Sequence, residues 1–205
     1  MPTPFQLFTM WSFRKELIAL GGAFLILLSL PVIAVVILTN AGINIVSDKL
    51  ATSDAQTGLV ELHDPLTGDV TQEVHGVMRW PVAGVITLEF GVSDLPYQPA
   101  HTGIDIANSH HQVGDPITPF MDGTVIYAGE IFWGYGKHII IDHGSTISSL
   151  YAHLDKIYVF KGQKVHLGEV IGTEGQTGWA TGPHLHFQID VKGIPVNPRT
   201  FLKAF

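Results

Sequence analysis

Cysteine is absent from this chain of 205 residues. That excludes a disulfide-stapled scaffold and a structural metal site built on thiolates. It does not exclude an oxidising compartment, because a domain of about 130 residues buries a workable core without staples. Charge is scarce as well: 14% of the residues are Asp, Glu, Lys or Arg, against about 25% in an ordinary soluble domain. The shortage is local, since no charged residue occurs from Leu17 to Thr39. Bases are the scarcer sign, with 11 Lys and Arg against 18 Asp and Glu and a net charge of −7. No basic stripe is present to follow a phosphate backbone, so nucleic acid is not an expected partner. A disordered charged tail is excluded too, because 46% of the residues are hydrophobic and such tails lack core-forming residues.

The chain opens with a short segment, residues 1–16, and then the uncharged run LIALGGAFLILLSLPVIAVVILT, residues 17–39. As a helix this run would be roughly 35 Å long, enough to cross a hydrocarbon core of about 30 Å. Pro31 inside it is tolerable in a membrane helix. Arg14 and Lys15 precede the run and only Lys49 follows it closely, with Trp11 and Phe13 at interfacial positions. The positive-inside bias then places residues 1–16 in the cytoplasm and the remainder outside. A signal peptide has an apolar region of about 7–15 residues and a small-x-small cleavage site. This run is longer, and Thr39-Asn40-Ala41 is a poor site, so the expectation is an uncleaved, single-pass transmembrane signal anchor. Residues 40–76 hold six acids and one base with no sustained hydrophobic period, the texture of a solvated acidic stalk or linker.

From Val77 the texture changes. Short runs rich in β-branched and aromatic residues, 85–90, 123–128, 138–142, 145–151, 170–173 and 184–190, alternate with glycine turns. This spacing predicts an all-β domain over residues 77–205, a small antiparallel sandwich or barrel-like fold, preceded by the one transmembrane helix.

Nine of the eleven histidines lie after Val77. His184 and His186 are two apart in GPHLHFQID, so on a strand both imidazoles leave the same face while Leu185 and Phe187 leave the other. His101 and Asp105 stand four apart in AHTGIDIAN. A straight strand would separate them by about 13 Å, too far for one ion, and Gly103 between them lets the chain bend. His153 ends the apolar run LYAHL. His101, Asp105 and one of the final pair make an open tetrahedral site with one position left for water, the pattern of catalytic zinc. Spacing does not say which of His184 and His186 is the ligand. The other, together with His153, is left to move a proton or hold an oxyanion. The chemistry suggested is amide hydrolysis. His110, His111, His138, His143 and His166 lack a partner at ligand spacing and read as surface residues.

The ordered blocks WPVAGVITLEFG, HTGIDIA, DGTVIYAG, GYGKHIIIDHG, LYAHL and GEVIGTEGQTGWATGPHLHFQI resemble a lysostaphin-type (LytM-type) zinc metallopeptidase, a peptidoglycan endopeptidase family. The resemblance covers about Trp80 to Asn197. It implies one zinc ion (Zn2+) held by His101, Asp105 and His186, with His153 and His184 as the catalytic pair that activates water and stabilises the tetrahedral intermediate. It also implies a groove for an extended peptide and stem peptides of the wall, outside the membrane, as partner; this agrees with the topology read from the apolar run, a bacterial cytoplasmic membrane location with the C-terminal domain extracytoplasmic. The family often carries an arginine just after the FG turn, where this chain has Val92 and Ser93; a local salt bridge or substrate contact is thereby in question. Tyr97 is a candidate oxyanion contact. Phe132, Trp133, Tyr135 and Trp179 are read either as groove lining or as loop packing. Two rival functions remain: a non-catalytic module that regulates a wall amidase, and a part serving a division or secretion apparatus.

Overall fold

The computed structural model describes residues 4–54, 57, 59–92, 100–110 and 112–202. Contacts divide the chain into two units, residues 1–39 and 40–205.

The first unit is most of α1 (Pro4–Leu50). Among the described residues no helix is long and apolar enough to cross a membrane. A span needs about 20 consecutive apolar residues. The expected transmembrane helix, and the single-pass membrane localisation drawn from it, are therefore corrected.

Among the described residues the second unit holds the end of α1, fourteen strands and a short helix. The strands are β1 (Ala51–Ser53), β2 (Val60–His63), β3 (Val70–Val74), β4 (Val85–Leu88), β5 (Ile104–Ala107), β6 (Pro116–Ile117) and β7 (Gly123–Glu130). They continue as β8 (Lys137–Gly144), β9 (Ile147–Ala152), β10 (Lys156–Ile157), β11 (Lys164–Val165), β12 (Gly172–Thr173), β13 (Leu185–Val191) and β14 (Ile194–Val196), before α2 (Pro198–Phe201). Every pairing among the described strands is antiparallel. The main sheet runs β11-β7-β8-β9-β13-β5-β4, with β14 on β13; two three-stranded sheets, β1-β2-β3 and β10-β12-β6, accompany it. The domain is all-β with antiparallel sheets, as its patterning predicts.

Alternation decides which face is which. On β13, Leu185, Phe187, Ile189 and Val191 are fully buried in the core, and His186, Gln188 and Asp190 leave the other face. Ile104 and Ile106 of β5, Ile139 and Ile141 of β8 and Tyr151 of β9 join the same core. Each such large side chain stabilises by about 1.5–3 kcal/mol on full burial. The Tyr151 hydroxyl has partners inside, accepting from Phe120 N–H and from Ser149 Oγ at 2.9 Å each. Residues 40–76, read as a stalk, hold the last turns of α1 and the meander β1-β2-β3, and Leu50, Ala51, Val60, Leu62 and Val74 join the core.

Two histidines expected on the surface are structural. His138 is buried, stacks on Tyr127 and bonds the Gly136 carbonyl through Nδ1 at 2.9 Å. His143 sits edge-on to Phe120 and bonds Asp122 O and Ser149 Oγ at 2.9 and 2.7 Å. Both ring nitrogens of His143 thus have internal partners, which spacing does not reveal. His110 and His166 are exposed, and His111 lies outside the described residues.

One buried acid makes stability pH-dependent. Glu174 has no exposed surface; its Oε1 accepts from Asn108 Nδ2 at 3.3 Å and its Oε2 has no partner among the described residues. Burial, then the charge of Asp115, pushes its carboxyl up to about 7. The folded chain therefore keeps a proton that the unfolded chain gives up near 4.5. Stability from this group is full below that value and falls as pH rises through about 7. Glu174→Gln is expected to be more stable than the parent at pH 8, by up to about 3 kcal/mol, and equal to it in mild acid. Thermal unfolding at the two pH values checks this.

Candidate metal centre

The register of the main sheet builds the centre. On β13 and β5, His186 and Asp105 are directly opposed, so both leave the face turned away from the core as cross-strand neighbours. His101 arrives from the loop before β5. The expected bend is present, but Gly103 serves it by lacking a side chain rather than by a left-handed φ. A Cβ there would lie 2.9 Å from Cε1 and 3.0 Å from Nε2 of the His186 ring and would collide with the Phe187 carbonyl. Glycine is what lets this segment lie against β13.

Three donor atoms meet at one point. His101 Nε2 is 3.1 Å from Asp105 Oδ1, His186 Nδ1 is 2.9 Å from the same oxygen, and the two nitrogens are 2.9 Å apart. His101 Nδ1 faces the Glu89 carbonyl at 3.3 Å. A carbonyl only accepts, so Nδ1 carries the proton and Nε2 presents a lone pair. At most one proton, on His186 Nδ1, can be shared among the three atoms, and the His101–Asp105 contact sets acceptor against acceptor. A cation resolves that conflict. Two ligands at about 2.0–2.1 Å from a tetrahedral zinc are themselves roughly 3.3 Å apart, close to the spacing here. The donor set of two imidazoles and a carboxylate, all buried or half-buried, fits zinc with one open position.

The charges agree. Burial alone would push the Asp105 carboxyl up, but the contacts with His101 and His186 outweigh it and hold the group well below the usual carboxylate range. Burial lowers His186, against the opposing pull of Asp105. Both imidazole and carboxylate are thus in the forms that bind metal.

His153 and His184 stand beside this cluster. Their ring centroids are 4.8 Å apart, and His153 lies 6.0 Å from His186. Each gives its Nδ1 proton to a backbone carbonyl, His153 to Thr177 O and His184 to Gly182 O, both at 2.8 Å. In the neutral ring each therefore leaves Nε2 as the lone-pair nitrogen. Burial, followed by the neighbouring His184 and His186, lowers His153 to about 4, so it is neutral at physiological pH. His184 Nε2 lies 3.6 Å from Asp105 Oδ2. His153 also has a left-handed backbone, φ 62°, uncommon for a residue with a side chain. It is pinned there by its N–H to Tyr135 O at 2.9 Å and by Thr177 N–H to its own carbonyl at 3.4 Å. Strain of this kind persists where the surroundings over-determine it, commonly at active sites.

The sequence profile of Peptidase family M23 matches residues 99–198. A mutant of the catalytic domain of the prophage-encoded M23 protein EnpA from Enterococcus faecalis has a similar fold. Its TM-score is 0.54 at 30% identity, over 61% of this chain and 96% of that one. This chain belongs to peptidase family M23. Among curated M23 relatives, Murein hydrolase activator NlpD of Escherichia coli (strain K12) is 42% identical over 124 residues, 60% of this chain and 31% of that protein. Peptidoglycan DD-endopeptidase ShyA of Vibrio cholerae is 43% identical over 97 residues, 47% of this chain and 22% of that protein. The chain thus matches about a third or less of these relatives' length.

In this M23 domain all five expected side chains come together. The residues that orient them were not foreseen. Thr177, Gly182 and Glu89 act through backbone carbonyls, which leave no side-chain signature. Tyr135 packs its ring 5.6 Å from that of His186 and donates its hydroxyl to Gln188 at 3.3 Å, so it is packing within the site. Tyr97 lies outside the described residues. The salt bridge in question at the FG turn is supplied from elsewhere: Arg199 of α2 forks onto Glu89, with Nη2 to Oε1 at 2.6 Å and Nε to Oε2 at 3.0 Å. Glu89 is the residue whose carbonyl fixes His101. Arg199→Ala is expected to weaken zinc binding by about tenfold, the lower end of outer-shell effects on metal affinity. Competition with a chelator measures it.

Proposed function

We propose that the chain is a metallopeptidase that uses one zinc ion to hydrolyse peptide cross-links of bacterial peptidoglycan. One observation carries this reading: His101 Nε2, Asp105 Oδ1 and His186 Nδ1 face one another at 2.9–3.1 Å, with two further imidazoles beside them whose Nδ1 atoms are taken by backbone carbonyls, leaving Nε2 as the working nitrogen. A purely structural cluster has no use for that second pair.

His101, Asp105 and His186 would hold the ion. Zinc, when bound, supplies a Lewis acid that polarises the scissile carbonyl and lowers the pKa of water. The chain's own residues do the rest. His153, neutral and locked by Thr177, accepts the proton of the attacking water at Nε2. His184 presents a second Nε2 beside Asp105 Oδ2; on taking up a proton there it can stabilise the tetrahedral oxyanion, while the proton taken by His153 passes to the leaving amine. Asp105 keeps the two ligand rings in place and stays ionised throughout. The likeness to a peptidoglycan DD-endopeptidase supports the substrate class.

A second reading has its own support. The match to a murein hydrolase activator runs over 124 residues, longer than the 97 shared with the endopeptidase. On likeness alone, regulation of a wall amidase is the better-backed role; the intact five-residue cluster favours catalysis.

Incubating the zinc-loaded chain with defined cross-linked muropeptide dimers and weighing the products separates the two. Hydrolysis gives monomers whose summed mass exceeds the dimer by one water. Intact dimers, together with stimulation of an added murein amidase, would establish the activator role instead.

A further inference from the structure

Two loops beside the cluster carry exposed aromatic side chains that neither the metal nor the proton-transfer pair uses. Phe132 and Trp133 lie between β7 and β8, and Trp179 lies in the loop before β13; they are 92%, 62% and 57% exposed. Exposed aromatics of this size are costly to leave in water, and grouped ones mark interaction sites. These are grouped, because the loops abut. Trp179 N–H bonds Gly134 O at 2.9 Å, and Lys137 N–H bonds Thr177 Oγ1 at 2.9 Å. Gly136 and Gly178 meet backbone to backbone, so that a Cβ on either would strike the other loop. The same loops hold His153 through Tyr135 O and Thr177 O. The loops that carry the aromatics are thus anchored beside the cluster.

Charge narrows the choice of occupant. Residues 131–136 and 175–183 contain no charged side chain. The polar groups they offer are neutral, including exposed Gln176 and Thr181. Stem peptides bring carboxylates, which this rim has nothing to pair with. A pyranose ring brings an apolar C–H face, edge hydroxyls and neutral acetamido groups. The electron-rich faces of indole and phenyl rings attract such C–H groups, and amide and hydroxyl side chains match the edge.

The geometry points to a saccharide-binding rim: Phe132, Trp133 and Trp179 take N-acetylated hexosamine units of the glycan strand while the attached peptide enters the metal cluster. This rests on the peptidoglycan reading above and adds the glycan as a second recognised part of the substrate.

The test is binding of the full chain to peptide-free glycan strands, read by co-sedimentation and by tryptophan fluorescence. The parent chain is expected to bind, and Phe132→Ala and a Trp133→Ala/Trp179→Ala pair to lose at least tenfold in affinity. Phe132 is almost fully exposed, so its replacement keeps the test open if the double variant fails to fold. Asp105→Ala is expected to bind glycan like the parent. No binding by the parent, or equal binding by parent and Phe132→Ala, overturns the proposal while leaving peptide cleavage untouched. Loss of amidase stimulation in these variants, with glycan binding unchanged, overturns it in favour of a protein partner. Glycan binding without any peptide cleavage would instead count against the peptidase reading and keep the rim.

Discussion

Replacing His153 by asparagine is expected to leave zinc bound and to cut turnover of cross-linked peptide by about 10²–10⁴-fold, the usual worth of a general base. Asparagine is the informative substitution because His153 sits at φ 62°, a conformation asparagine adopts more readily than alanine. Its side chain has no group that titrates as a base. The imidazole touches no ligand atom directly; its Nδ1 is spent on Thr177 O, and its centroid is 6.0 Å from that of His186. Metal content should therefore equal that of the parent chain while hydrolysis falls. Metal content by emission spectrometry, alongside product mass from muropeptide dimers, separates these effects. Loss of zinc in His153→Asn would mean that the ring holds the ion rather than the proton.

Asp105→Ala is expected to do the opposite first: zinc affinity falls by more than about a hundredfold, beyond the 10–100-fold typical of outer-shell changes, and activity goes with it. Asp105 Oδ1 touches both ligand imidazoles. Without it the two nitrogens at 2.9 Å have no anion to offset a divalent charge. Asp105→Asn keeps the shape and removes the charge, and should lie between the two. Titration against a chelator of known affinity measures both variants. An unchanged affinity in Asp105→Ala would remove this carboxylate from the ligand set.

Much of the domain was legible because its elements are long enough to show a period. LHFQIDV alternates over seven residues, and the structure puts Leu185, Phe187, Ile189 and Val191 in the core and His186 on the opposite face. Strand β5 escaped because IDIA is four residues with a charged one inside. Its pairing partners β13 and β4 supply the hydrogen bonds, and these are eighty and twenty residues away in order of magnitude, beyond any local pattern. The meander in residues 40–76 was hidden for the same reason: VELH is half-buried over four residues, too short for a sustained signal. Which of His184 and His186 approaches Asp105 more closely was also beyond spacing, because both leave one face; register decides it, by setting His186 opposite Asp105. The roles of His138 and His143 depended on carbonyl and hydroxyl partners that composition cannot reveal.

Anomalous scattering at the zinc edge from crystals of the zinc-loaded chain tests the centre most directly. The expected map has a single peak per chain within about 2.0–2.2 Å of His101 Nε2, an Asp105 oxygen and His186 Nδ1, with His153 and His184 outside bonding distance. A peak on His153 or His184, or none where those three atoms meet, would contradict the assignment of ligands and the hydrolysis built on it.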